Sequence, residues 1–272
     1  MPLSAMSSSP PPVPPGRREH FDRYLRLVVY KTYAELKAES ERTYVGFAWW
    51  IAEPVISMAV YYVVFETILD RGTEDYAVFL FVGLVPWRWL QTTITHGASA
   101  ILGERSLMQQ VFLPKILLTW TAILADSFKF VVVFALLLLA LPAFGYPPSA
   151  AWAWLPVILA AQFLLITGVT TLVAALTPFL PDLRIVLENV VRLWFFLSGV
   201  FYSVDVVGAE LEPYLQLNPM TVILEAYRDV LLHARAPDSV PLFAVGAASA
   251  VACVLGMAVT RRFDYEYPKL RF

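Results

Sequence analysis

The chain has 272 residues, of which 58% are apolar, 14% aromatic and only 15% charged, and its mean hydropathy is +0.63. Soluble domains carry roughly 25% charged residues, so this composition excludes an ordinary water-soluble enzyme, a disordered regulator and a disulfide-built scaffold, and points to a bilayer protein. The formal charge of −2 supplies no basic field for nucleic acid, and the single Cys253 can form no internal bridge.

Residues 1–20 open on a Ser- and Pro-rich run, SSSPPPVPP, with too few large apolar side chains to offset the entropy of ordering. They read as a disordered cytoplasmic tail, without the basic-then-apolar order of a signal peptide. Phe21–Arg42 then reads as an amphipathic helix. At about 100° per residue, Phe21, Tyr24, Leu25, Val28, Val29 and Leu36 share one face, with Asp22, Arg23, Arg26 and Lys37 opposite. Such a helix lies flat in the membrane interface.

A membrane crossing needs roughly 20 mainly apolar residues. Six segments qualify: Val45–Leu69, Tyr76–Gly97, Ile116–Phe144, Ala151–Thr177, Ile185–Tyr202 and Val240–Thr260. With both ends inside, fourteen Lys/Arg residues fall on the cytoplasmic side: those from Arg17 to Arg42, Arg105, Lys115, Arg184, and those from Arg261 to Arg271. Only Arg71, Arg228 and Arg235 fall outside. The positive-inside rule therefore places both termini of a multi-pass protein in the cytoplasm. Between spans five and six, Val204–Pro237 carries too many charges for a lipid-facing crossing. Thr221–Leu232 still has helical periodicity, with Asn218 placed to cap it and Pro219 at its first position. At half a membrane thickness it reads as a re-entrant or interfacial helix.

Catalytic constellations are not visible. His20, His96 and His233 lack partners at ligand spacing and read as interface histidines, so no metal site is expected. Without a GxxxxGK[ST] loop, this chain is expected to bind neither ATP nor any other cofactor. Charges inside spans are costly. Asp126 with Lys129, and Glu188 with Arg192, have spacings that allow an ion pair on one helix, or they line a hydrated path. Glu53 precedes Pro54, and Arg88 lies between Trp87 and Trp89, where it can stack on an indole or snorkel outward. Aromatic residues crowd the first and fifth spans. Ordinary packing accounts for rings in such positions, while Trp49, Tyr61, Tyr62, Phe65, Trp194, Phe195, Phe201 and Tyr202 are candidates to face a path for sugars.

Five strings in order resemble the ABC-2-type permeases that export lipid-linked polysaccharides such as O-antigen, capsule and teichoic acid. They are GFAWWIAEP (Gly46–Pro54), GLVPWRWL (Gly83–Leu90), SLMQQVFLPK (Ser106–Lys115), FFLSGVFYS (Phe195–Ser203) and LNPMTVILEAYRDVL (Leu217–Leu231). The resemblance runs from about Phe21 to the C-terminus. It implies an all-α integral membrane domain over residues 21–272, with six transmembrane helices, an N-terminal interface helix and gate helices between spans five and six. It further implies a homodimer in the cytoplasmic (inner) membrane, working with two copies of a separate ATPase chain that bind ATP and Mg.

In this resemblance the cytoplasmic stretch Glu104, Arg105, Ser106, Leu107, Met108, Gln109 and Gln110 couples to the ATPase. The first and fifth spans border the channel, and Asn218, Pro219, Glu225 and Arg228 belong to the gate helix. Gln109-Gln110, where relatives often carry a basic residue, and the additional Arg88 and Lys129 depart from the pattern. The expected function is export of a lipid-linked glycan. The alternatives are a permease of the same fold for a small molecule or drug, and a membrane-embedded lipid-modifying enzyme, which needs an acid/base or metal cluster.

Overall fold

The computed structural model describes residues 17–42, 44, 46–64, 75–104, 113–203, 212–264 and 266–267. Every regular element among them is helical. In chain order these are α1 (Arg17–Glu41), α2 (Ala48–Tyr62), α3 (Tyr76–Gly103), α4 (Ile116–Ala140), α5 (Leu155–Leu176), α6 (Leu183–Leu197), α7 (Glu212–Gln216), α8 (Pro219–Leu231) and α9 (Ser239–Arg262). Helix α1 begins four residues before the expected Phe21, because no Gly or Pro interrupts Arg17–His20 once Gly16 is passed.

Among the described residues, four segments are long and apolar enough to cross a bilayer: Tyr76–Gly103, Ile116–Phe144, Ala150–Leu176 and Ser239–Arg262. They correspond to the expected second, third, fourth and sixth spans. The first and fifth are shorter helices. Ala48–Tyr62 has 15 residues, and Leu183–Leu197, also 15, breaks at Ser198 before Gly199 takes a positive φ of 66°. Long α4 ends where Pro142 cannot continue the α-helix; a 3-10 turn, Leu141–Phe144, closes on Gly145 at φ 92°.

Helix α3 is the central pillar, packing against α2, α4, α5, α6 and α8. Its buried face carries Leu80, Leu84, Trp87, Leu90 and Ile94 into one core with Phe134, Ile158, Tyr227 and Val230. Helices α5 and α9 make the most extensive pairwise contact. Their approach is close because it uses glycines. A Cβ at Gly168 meets the Ser249 carbonyl at 2.9 Å, and one at Gly256 meets Thr171 Oγ1 at 2.3 Å. Small residues are what let membrane helices approach this closely.

Helix α1 lies across α4. Its exposed residues Val29, Tyr30 and Tyr33 look away from the bundle, while Val28 and Leu36 are buried and Leu25 lines a cleft beside Ile116 and Trp120. Lys31, Glu35 and Glu39 fall on the inward side, so the expected apolar face splits between lipid and protein. After α9 the chain packs back on α5. Tyr267 donates to the Ala175 carbonyl at 3.1 Å and packs at a tilt on Phe179, which also meets Phe263.

Candidate coupling and gating sites

Charged side chains from four helices meet where α1 crosses the bundle. Asp126 is buried on α4, and Lys129 one turn later pairs with it at 2.9 Å. The same ammonium reaches Glu39 of α1 at 2.8 Å and lies 5.9 Å from the Trp50 ring of α2. His96 of α3 places Nδ1 2.8 Å from Asp126 Oδ2 and 3.1 Å from Oδ1. It is thus a member of a network and not the idle interface histidine its isolation in sequence suggests. Nearby, Arg88 of α3 pairs with Glu53 of α2, instead of stacking on a neighbouring indole or snorkelling. Together these groups line an open cleft of about 250 Å3, walled by Trp50, Trp89 and Phe130. Compensation within the cluster is what makes charge tolerable at this depth.

Glu188 and Arg192 behave differently. Both are exposed on α6 and no ion pair joins them among the described residues. An i,i+4 spacing permits a pair but does not enforce one, and exposed pairs gain little.

A second polar contact lies at the start of the expected coupling stretch. Lys31 Nζ sits 2.5 Å from Glu104 Oε1 and 3.2 Å from Glu35 Oε1. Burial opposes the Lys31 charge, but the hydrogen bonds to Glu104 and Glu35 outweigh it and hold the pKa above lysine's ordinary value. On the far side of the loop, Lys115 is buried, and its backbone N–H donates to Asp264 Oδ1 at 2.9 Å. Both ends of the loop are therefore fastened, one to α1 and one to the segment after α9. Arg105, Ser106, Leu107, Met108, Gln109 and Gln110 lie outside the described residues.

The residues expected to gate lie at both ends of α8. Asn218 caps α8 by accepting from the Met220 N–H at 3.0 Å, while Pro219 occupies the first turn. The same Oδ1 accepts from Trp194 Nε1 at 2.8 Å, and Nδ2 donates to the Leu197 carbonyl at 3.0 Å and to Ser198 Oγ at 3.1 Å. One amide thus ties the start of α8 to the broken end of α6. At the other end of α8, buried Arg228 donates from Nη2 to the Val200 carbonyl at 2.7 Å and lies flat on Phe79, 3.7 Å from its centroid. Gly83 makes room for this contact: a Cβ there meets Arg228 Nη2 at 2.9 Å and the Val200 carbonyl at 3.0 Å. Beside it, Tyr227 donates to Gln162, whose amide donates on to the Pro86 carbonyl, both at 2.8 Å. Glu225 is half-buried on the same helix.

The aromatic candidates separate. Trp194 and Tyr202 line a cleft of about 670 Å3 with Tyr214, Asn218 and Pro219, so two of them lie beside residues expected to gate. Phe195 is 7% exposed and packs on Trp87, 5.5 Å between centroids, in the core. Phe201 packs at a tilt on Phe195 and edge-to-face with Phe196 and Tyr202, and its carbonyl accepts from Tyr76 at 2.9 Å. Trp49 is 48% exposed on α2. Tyr61 and Tyr62 lie on the last turn of α2, and Phe65 falls outside the described residues.

An all-helical bundle with four long apolar helices among the described residues agrees with what similarity shows. Residues 28–232 match the ABC-2 type transporter family. The O-antigen export system permease protein RfbA of Myxococcus xanthus is 31% identical over 231 residues, 84% of this chain and 89% of that protein. A protein of the same description from Klebsiella pneumoniae is 23% identical over 208 residues, 76% of this chain and 80% of that one. The polysialic acid transport protein KpsM of Escherichia coli is 21% identical over 230 residues, covering 84% and 89%. The chain belongs to the ABC-2 type transporter family.

Proposed function

We propose that this chain is the transmembrane subunit of an ATP-driven exporter that carries a lipid-linked polysaccharide of O-antigen or capsule type across the cytoplasmic membrane. The observation that carries this reading is similarity along nearly the whole chain to permeases of O-antigen and polysialic acid export. Two subunits, each with six crossings and both termini inside, work with two copies of a nucleotide-binding ATPase. Short helices α2 and α6 belong to the first and fifth crossings. The exposed apolar residues Ile51, Val55 and Ile56 on α2, and Val186, Val190 and Leu193 on α6, support a second subunit as their cover.

ATP binding draws the ATPase copies together, and the loop from Glu104 through Gln110 receives that movement. Its tethers, Lys31–Glu104 and Lys115–Asp264, support this role. The glycan passes beside Trp194 and Tyr202, whose ring faces and hydroxyl suit sugar surfaces, and α8 gates the outer side. A motion of this kind requires the partner to bind two packings of the bundle with different affinity.

The test is reconstitution of the chain with its ATPase in vesicles. Alanine substitutions across residues 104–112 are expected to depress or uncouple ATP turnover. Turnover that ignores them sinks the coupling assignment. Turnover of a lipid substrate by the purified chain alone, with no ATPase, sinks the permease reading.

A further inference from the structure

We propose that α1 transmits the movement of the coupling loop into the membrane bundle, with Lys31 and Glu39 as its positioning residues. The proposal rests on the coupling role of residues 104–112 given above. Lys31, Glu35 and Glu39 are spaced by four, so they form one stripe along α1. The stripe lies over a furrow between α3 and α4 whose floor includes Ser99, Ala100, Gly103, Ala122 and Ala125. Apart from Leu118, this floor offers few knobs to interlock with α1. Charge therefore fixes its register along the furrow, beside the burial of Val28 and Leu36.

Two pairs set that register, one at each end of the stripe. Lys31 holds Glu104, where α3 meets the loop, and Glu39 holds Lys129 on α4. Their separation along α1 is about 12 Å at 1.5 Å per residue, so α1 cannot slide against α3 and α4 without breaking at least one. Lys31 and Lys129 are largely shielded, at 18% and 15% side-chain exposure, while Glu104 and Glu39 are 33% and 48% exposed, so added salt screens the pairs in part. Beyond Lys129 the network continues to buried Asp126 and, through it, to His96. A displacement of Glu104 thus pulls Lys31, is carried by a stiff helix to Glu39, and is delivered to the middle of α3 and α4. This route is separate from the direct covalent continuation of the loop into α3 and α4.

The test uses the whole transporter, permease and ATPase together. ATP hydrolysis is measured in vesicles, and export is measured by periodate–hydrazide labelling of surface glycan on cells whose permease is the variant. Glu39→Gln removes the α1–α4 pair while leaving Lys129 with Asp126. Lys31→Glu sets two carboxylates against each other, and Lys31→Glu with Glu104→Lys restores the opposite signs. Both single variants are expected to hydrolyse ATP near the parent rate with export lowered about tenfold, within ordinary coupling energies. The double exchange is expected to recover most export.

Parent-like export from Glu39→Gln and Lys31→Glu, while alanine in residues 104–112 still uncouples, overturns this proposal and spares the coupling reading. Loop variants without effect on hydrolysis or export overturn the coupling reading itself. Equal loss of hydrolysis and export in Glu39→Gln, or an exchange that assembles normally and rescues nothing, assigns the pairs a structural role and also overturns the proposal. Glu39→Gln keeps the shape of the side chain and removes only the charge that holds Lys129, so the test survives if Lys31→Glu fails to fold.

Discussion

Arg228 holds one carbonyl and one ring, and both contacts depend on the absence of a side chain at Gly83. Gly83→Ala places a methyl against a backbone oxygen that cannot step aside, so we expect destabilisation of about 1–3 kcal/mol, read as a lower melting temperature in detergent. Arg228→Lys is expected to fail as well, because an ammonium cannot both reach the Val200 carbonyl and lie flat on Phe79; melting close to that of the parent would refute this. Both residues stand in strings that the sequence marks, yet nothing in either string shows that they touch, since their meeting is made by the bundle. Lys31 offers a pH test. Its pKa is raised on folding, so the tether is complete below lysine's ordinary value and is lost only as pH rises through the raised one. The melting difference between parent and Lys31→Gln should stay constant from about pH 6 to 9 and shrink above about 10.4.

Among elements, the pair α5–α9 holds by proximity and α8 holds by its cap. Gly256→Leu drives a branched side chain into Thr171 and the Leu172 backbone and is expected to abolish the folded monodisperse fraction in size-exclusion chromatography. Gly246, with nothing within 4 Å of its Cβ direction, should accept leucine without that loss. Asn218→Ala removes the cap, worth about 1 kcal/mol, and also the tie to Trp194 and Leu197. Asn218→Ser, which keeps only the cap, is expected to recover part of the melting temperature. The start of α8 was legible because Asn-Pro before an apolar periodic run states a capped helix. The four long spans were legible for the same kind of reason, since hydropathy over 20 residues is a local quantity. The inward turn of Lys31, Glu35 and Glu39 was not. Helical periodicity shows which residues share a face, but which face meets protein and which meets lipid is decided by neighbours far along the chain. Glu53–Arg88, His96–Asp126 and Glu39–Lys129 were hidden for that reason, whereas Asp126–Lys129, one turn apart, was not.

At the scale of the molecule, the described residues divide into a glycine-packed pair, α5 with α9, and a charge-fastened group, α1 with α3 and α4, joined through the α3 pillar. The first depends on contact shape and the second on charge, so added salt should loosen α1 before it disturbs α5–α9, a difference that hydrogen exchange of the two regions can follow. A cysteine at Val190, on the exposed face of α6, is expected to cross-link two copies of the permease in membranes, while one at buried Val191 is not; the reverse pattern would place the subunit contact elsewhere. The seating of Tyr267 on Ala175 and of Asp264 on Lys115 has a practical corollary for anyone handling the protein. An affinity handle or fluorescent fusion joined close after Tyr267 tugs on the loop's rear tether, so it should alter ATP turnover in the assembled exporter, whereas the same handle ahead of Arg17 or set off by a long flexible spacer should leave turnover as it is.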